Sequence, residues 1–143
     1  MVLTLATVLG IVVSVIATMA LGMFWYSPAG FGKTWIKLQG WTEKSLKAQQ
    51  KKAMKEGMAG TWLLGIVSNI VWVGVLALFL AEMNVTTLPA AHLLAFWVWL
   101  GFVATTQLAS FLWERKPFKL FLFNTAYNLI ALLIAATILF YLH

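Results

Sequence analysis

The fold is determined by an uncharged stretch at residues 1–32, which reads MVLTLATVLGIVVSVIATMALGMFWYSPAGFG. It contains no Lys, Arg, Asp or Glu. Three further stretches, at 57–81, 83–113 and 120–143, also lack charged residues. A helix needs about 20 apolar residues to cross the roughly 30 Å hydrocarbon core of a bilayer, and each stretch is long enough to do so. The pattern predicts an all-α protein, a polytopic membrane four-helix bundle.

The composition points the same way. The chain has 143 residues, of which 62% are hydrophobic and 10% charged, too little polar material to cover a soluble domain of this size. The first apolar run lacks a basic n-region and is too long for a signal peptide, so we expect it to be retained. We therefore expect one integral membrane domain over residues 1–143, with spans at about 3–26, 58–81, 89–113 and 118–141.

The basic residues lie on one side of the predicted bundle. Loop 27–57 carries seven lysines, and three more basic residues follow Glu114, whereas the connection between the second and third spans carries only Glu82. The positive-inside rule then places loops 27–57 and 114–117 in the cytoplasm and both termini outside. Because the lysines sit beside membrane spans, anionic lipid headgroups are their expected partners and nucleic acid is not.

Loop 27–57 is predicted to be a basic interfacial loop at the cytoplasmic surface. Phe31, Trp35 and Leu38 share one helical face, which is typical of a segment lying in the headgroup zone. A second helix, at about Glu43–Glu56, carries a stripe of lysines. The loop either docks on anionic lipid or a partner, or only sets the topology. The basic arm comprises Lys33, Lys37, Lys44, Lys47, Lys51, Lys52 and Lys55.

Small side chains recur at every fourth position of the first predicted span. They are Ala6, Gly10, Ser14, Thr18 and Gly22. Helices in lipid associate by close backbone approach at grooves of this kind. The groove is expected either to pack against other spans of the same subunit or to form the contact of a homo-oligomer.

Uncharged polar side chains gather near the centre of the predicted bilayer. At 1.5 Å per residue they lie roughly 9–18 Å from the cytoplasmic ends of the spans. Buried amides need partners, so this layer either holds helices together through hydrogen bonds or forms a site or path for water, an ion or a small neutral solute. The polar layer comprises Ser14, Thr18, Asn69, Thr105, Thr106, Gln107, Asn124 and Asn128.

No constellation for catalysis or metal binding is visible in the sequence. The absence of cysteine excludes disulfides and thiolate chemistry. No Asp, Glu, Lys or Arg lies in the middle of a predicted span, which disfavours a proton-driven transporter. Neither a nucleophile–base pair, a phosphate-binding glycine loop nor a histidine cluster is present, so no catalytic residue, metal ligand or cofactor is predicted.

Two motifs resemble a known family. The first is Gly22-Met23-Phe24-Trp25-Tyr26-Ser27-Pro28, followed by Phe31-Gly32-Lys33 and Trp35. The second is Trp99-Leu100-Gly101-Phe102, followed by Glu114-Arg115-Lys116-Pro117 and then by Asn124 and Tyr127. Together they resemble the proteins grouped as domain of unknown function 1761, over nearly the whole chain. The resemblance implies a four-span protein in the cell membrane of a prokaryote; it implies no activity and no catalytic residues.

Three functions stay open at this point. The first is an oligomerising structural or accessory subunit of a membrane assembly, favoured by the small-residue groove and the basic arm. The second is a homo-oligomeric small transporter or channel for a neutral solute, water or an ion, favoured by the polar layer. The third is a lipid-modifying enzyme, supported only by the basic interface. The expected partners are anionic lipids and either further copies of the chain or a larger membrane complex.

Overall fold

The computed structural model describes residues 4–142, and within this range it contains helices and no strand. The α-helices are α1 Leu5–Trp25, α2 Gly32–Leu38, α3 Glu43–Glu56, α4 Ala59–Glu82, α5 Leu88–Val98, α6 Thr105–Leu112 and α7 Phe118–Tyr141. A π-helix, Trp99–Ala104, joins α5 to α6. These three segments form one continuous helix, Leu88–Leu112, which we call the third span.

Four helices of the described chain are long and apolar enough to cross a membrane: α1, α4, the third span and α7. The predicted all-α, four-span architecture is thereby confirmed. The helix ends follow local signals, since the side chains of Thr4 and Thr87 accept hydrogen bonds from the first turns of α1 and α5. Pro117 directly precedes α7. Residue 3, the predicted start of the first span, lies outside the described residues.

Helix α7 is the centre of the bundle. It packs along α1 and along the third span and also touches α4. We call the end that carries loop 27–57 and the turn 113–117 the basic end, and the other the opposite end. The core lies toward the opposite end, where α4, α5 and α7 pack closely. Its most deeply buried side chains are Val73, Leu76, Ala77, Ala91, Ala95, Ala135, Ala136 and Leu139.

Toward the basic end the bundle opens. Helix α4 contacts the third span chiefly through α5, and residues 59–68 of α4 are exposed. One half of the bundle has a tight core, and in the other half α4 is separated from α6. The bundle therefore contains a wedge-shaped gap. This gap positions the candidate site.

The small-residue face of α1 is packed inside the subunit, against α7 and α4. Gly10 lies against Leu139, and a Cβ on Gly22 would lie 2.8 Å from the Tyr127 hydroxyl. Ala6 lies outside this packed face, because it is exposed and the neighbouring Thr7 is buried instead. A strict four-residue spacing rotates by about 40° at each step and so leaves the packed face. The buried residues of α1 are Thr7, Gly10, Ser14, Val15 and Thr18.

The predicted basic loop forms two helices of different character. Helix α2 packs on the beginning of α7, while α3 has no buried residue. Helix α3 starts with a capping box between Thr42 and Ser45, and threonine is a favoured residue at the N-cap of a helix. All seven lysines of the basic arm lie at the surface.

Candidate functional site

A tight turn joins α1 to α2 and sends the chain back onto the bundle. The backbone N–H of Gly32 donates to the carbonyl oxygen of Ser27 at 2.8 Å. A Cβ on Gly30 would overlap the backbone carbonyl of Phe24. Glycine is therefore needed at this position for steric reasons, and the sharp turn places Trp35 of α2 beside the end of α1.

An aromatic cluster follows from this turn. The ring centroid of Tyr26 lies 5.3 Å from that of Trp35 and 5.3 Å from that of Tyr127. The Tyr26 hydroxyl donates to Asn124 Oδ1 at 3.0 Å, and the Tyr127 hydroxyl donates to the carbonyl oxygen of Thr18 at 3.4 Å. The cluster joins α1, α2 and α7. It brings together the two motifs of the sequence, since Tyr26 and Asn124 are 98 positions apart.

Two neighbouring cavities open next to the cluster. One, of about 500 Å³, lies between α2, α6 and α7 at the basic end, and we call it the outer cavity. The other, of about 640 Å³, lies between α4, the third span and α7, and we call it the inner cavity. Thr106, Gln107, Tyr127 and Asn128 line both. The two cavities are therefore adjacent, and together we call them the cleft, which extends from the basic end toward the middle of the spans.

The cleft gathers most of the predicted polar layer. Its members at the cleft surface are Asn69, Thr106, Gln107, Asn124 and Asn128. Ser14 and Thr18 are instead buried in the packing of α1. Thr105 is exposed outside both cavities, and its hydroxyl donates to the carbonyl oxygen of Gly101 at 2.7 Å.

The hydrogen bonds of the cleft amides run both between helices and along them. The Thr18 hydroxyl donates to Asn69 Oδ1 at 3.5 Å, and the Tyr26 hydroxyl donates to Asn124 Oδ1. Asn69 Nδ2 donates to the carbonyl oxygen of Gly65 at 2.9 Å, and Asn128 Nδ2 donates to that of Asn124 at 2.8 Å. Trp72 Nε1 donates to Asn69 Oδ1 at 3.1 Å, again within α4. A side-chain amide has two donors and an oxygen with two lone pairs, so these bonds leave capacity for further partners at the cleft surface.

The π-helix of the third span was not predicted from the sequence. Phe102 and Val103 of this segment line the inner cavity, and Trp99 Nε1 donates to the carbonyl oxygen of Thr125 in α7 at 2.8 Å. Single π segments inside α-helices occur frequently at functional sites. The one signal in the sequence is Gly101, a residue that is unfavourable in a helix interior.

Tyr26→Phe is expected to destabilise the protein by roughly 0.6 kcal/mol, and by at most about 1.7 kcal/mol, the range of hydrogen bonds between membrane helices. The variant removes the hydroxyl that donates to Asn124 Oδ1 and keeps the ring. The free energy of unfolding of the purified protein, titrated with a denaturing detergent, measures the effect. Tyr141→Phe is the control, because Tyr141 is exposed at the opposite end. Equal stability of both variants would show that the bond between Tyr26 and Asn124 does not stabilise the fold.

The four spans and the polar cleft between them define a small multi-pass membrane protein. The chain belongs to the DUF1761 family: the family model described as "Protein of unknown function (DUF1761)" matches residues 9–140. The match confirms the resemblance carried by the two motifs. No curated protein and no solved structure matches the chain.

Proposed function

We propose that the protein is a small transporter whose cleft admits a small polar solute from the basic end. The observation that carries the proposal is the adjacency of two polar cavities, since Thr106, Gln107, Tyr127 and Asn128 line both. The cavities measure about 500 and 640 Å³. Ligand sites of proteins are typically clefts of about 300–1,000 Å³ with a few convergent polar groups.

Part of the amide arrangement supports solute binding. Polar groups facing hydrocarbon are costly unless they find partners. Asn69 and Asn124 accept hydrogen bonds from Thr18 and Tyr26, and these bonds hold helices together. The side-chain amide of Asn128, in contrast, bonds within α7. Water or a polar solute in the cleft would use the remaining donors and acceptors.

The opposite end of the cleft is closed by the apolar core. Leu76 and Leu139 are each 2% exposed, and Val73 and Ala91 are fully buried. Beyond this core lies a smaller cavity of about 330 Å³, lined by residues that include Leu80 and Phe140. A transport cycle would open this core by moving α4 away from α5. The contact with α5 is the smallest that α4 makes with α1, α5 and α7.

We place the basic end in the cytoplasm, because all ten basic residues lie there and the positive-inside rule favours that side. The exposed lysines of α2 and α3 would then face the anionic cytoplasmic leaflet. Each lysine near such a surface contributes about 1 kcal/mol of attraction. Contact with anionic lipid is part of the proposal.

Flux through reconstituted liposomes tests the proposal. The panel contains three solute classes of similar size: neutral polyols, small ammonium ions and small carboxylates. We expect at least one class to cross protein-containing vesicles several-fold faster than protein-free vesicles. Rates at the protein-free level for all three classes would contradict the proposal.

A second candidate function, a subunit of a membrane assembly, is favoured by a different surface. Gly101 and Thr105 lie at four-residue spacing on the third span, and both are exposed and outside the two cavities. No atom lies within 4 Å of a Cβ built on Gly101. Membrane helices pack through such small-residue faces, so a second copy or another membrane protein fits here. A defined oligomer in mild detergent that dissociates on Gly101→Leu would support this candidate, and an unchanged oligomer would remove this surface from it.

A further inference from the structure

The outer cavity has a charge character opposite to that of the end on which it lies. The basic end carries all ten Lys and Arg residues of the chain. Among the described residues that line the outer cavity, however, none is Lys, Arg or His, and one is acidic, Glu114. Arg115 and Lys116 follow Glu114 directly but do not line the cavity. An anionic solute would thus meet a carboxylate and no cation.

Three aromatic side chains line the same cavity as this carboxylate. Tyr26, Trp35 and Tyr127 all line the outer cavity, and the ring of Tyr26 lies 5.3 Å from each of the other two. Cations are attracted to aromatic faces within about 6 Å of the ring centroid, most strongly to tryptophan. The hydroxyls of both tyrosines donate to protein oxygens, which holds the rings in place.

The rest of the lining includes neutral groups that can accept hydrogen bonds. The side chains of Gln39, Gln107, Ser110 and Asn124 belong to it. Within residues 4–142 no group of three or more His, Cys, Asp or Glu side chains lies together, so the site does not have the ligand set of a tightly held metal ion. Aromatic faces, a carboxylate and amide oxygens together are the groups that recognise an amine or ammonium ion.

We infer that the outer cavity selects a small organic cation, a protonated amine or a quaternary ammonium ion, through Glu114 and the rings of Tyr26, Trp35 and Tyr127. The inference rests on the proposed function, since it names the solute class for the cleft. The neutral amides deeper in the cleft, Gln107 and Asn128, line the way onward. The aromatic rings attract a cation but carry no net charge, so Glu114 contributes most of the selection for positive charge.

The absence of cysteine from the chain allows a direct test. Ser110→Cys is the smallest change in the outer cavity, and Ser110 precedes Glu114 by four positions. Proteoliposomes of this variant are treated with two methanethiosulfonates, the cationic trimethylammonioethyl and the anionic sulfonatoethyl reagent. Each rate is divided by the rate with free 2-mercaptoethanol. Free 2-mercaptoethanol thus sets the reference ratio of one. Ala48→Cys, on the exposed face of the lysine-rich helix α3, is the contrasting case at the same end, because its lysine neighbours favour the anionic reagent.

We expect the normalised cation-to-anion rate ratio of the Ser110→Cys variant to be about ten or more, because a single nearby charge produces an effect of this size at short range. Adding Glu114→Gln should remove most of this preference. If Ser110→Cys does not fold, Gln107→Cys takes its place, because Gln107 lines the same cavity.

The outcomes separate the two proposals. A normalised ratio near one or below one at position 110 would overturn the cation inference while leaving the open cleft intact. A cation preference that survives Glu114→Gln would also overturn it, because the carboxylate would not be the selecting group. No reaction of either reagent at position 110 would show that the cleft is closed to solutes, and the proposed function would fail with it.

Discussion

Thr106→Trp is expected to reduce solute flux to the level of protein-free liposomes. Thr106 is exposed and lines both cavities, so an indole at this position fills their junction. The fold should tolerate the change, because the threonine hydroxyl bonds only within its own helix, to the carbonyl oxygens of Phe102 and Val103. Flux of the solute class that the wild-type protein transports is the measurement.

Thr105→Trp is the matched control. Its hydroxyl also donates to a carbonyl oxygen one turn earlier, at the same 2.7 Å, but Thr105 lines neither cavity. We expect wild-type flux from this variant, together with weaker self-association if the third span forms an assembly contact. Loss of flux in both variants, or in neither, would contradict the assignment of the cleft as the path.

Gly30→Ala is expected to have the largest effect on stability, a loss of about 1–3 kcal/mol in the free energy of unfolding, as overpacking a tight site typically costs. The added Cβ would overlap the backbone carbonyl of Phe24, and backbone cannot rotate away as a flexible side chain can. The turn would have to widen. Trp35 would then lose its contact with Tyr26 at the mouth of the cleft.

Gly65→Ala is the control for this prediction. No atom lies within 4 Å of a Cβ built on Gly65, which is exposed within α4. Alanine is favoured over glycine in a helix interior by about 1 kcal/mol, so this variant should be neutral or slightly more stable. Tryptophan fluorescence during denaturant unfolding compares the two. Equal midpoints would show that the turn relaxes without cost.

The four spans could be predicted because each depends on local sequence. Charge-free length identifies a span, and caps such as Thr87 and Pro117 set its ends. The faces of the spans are harder to predict. Lipid is as apolar as the core, so Leu139, which is buried, and Leu63, which is exposed, carry the same sequence signal.

The candidate site could be predicted only in part for the same reason. Depth along a span follows from counting residues, and counting places Asn69, Asn124 and Asn128 in one layer. Rotation about the helix axis does not follow from depth: Thr105 and Thr106 are neighbours, yet only Thr106 lines the cleft. The π-helix, the separation of α4 from α6 and the pairing of Tyr26 with Asn124 arise from contacts between distant segments.

A polar cleft that reaches the middle of the spans underlies the proposed transport, and single cysteines on α7 probe it without a known solute. Asn128→Cys lies in the cleft, and Ile130→Cys, two residues along the same helix, lies on an exposed apolar surface. Both variants are treated in liposomes with the small neutral reagent hydroxyethyl methanethiosulfonate. Thiolate is the reactive form, and it requires a hydrated site, so the Asn128→Cys thiol should react at least about tenfold faster than the Ile130→Cys thiol. Equal rates at the two positions would contradict a hydrated cleft at this depth.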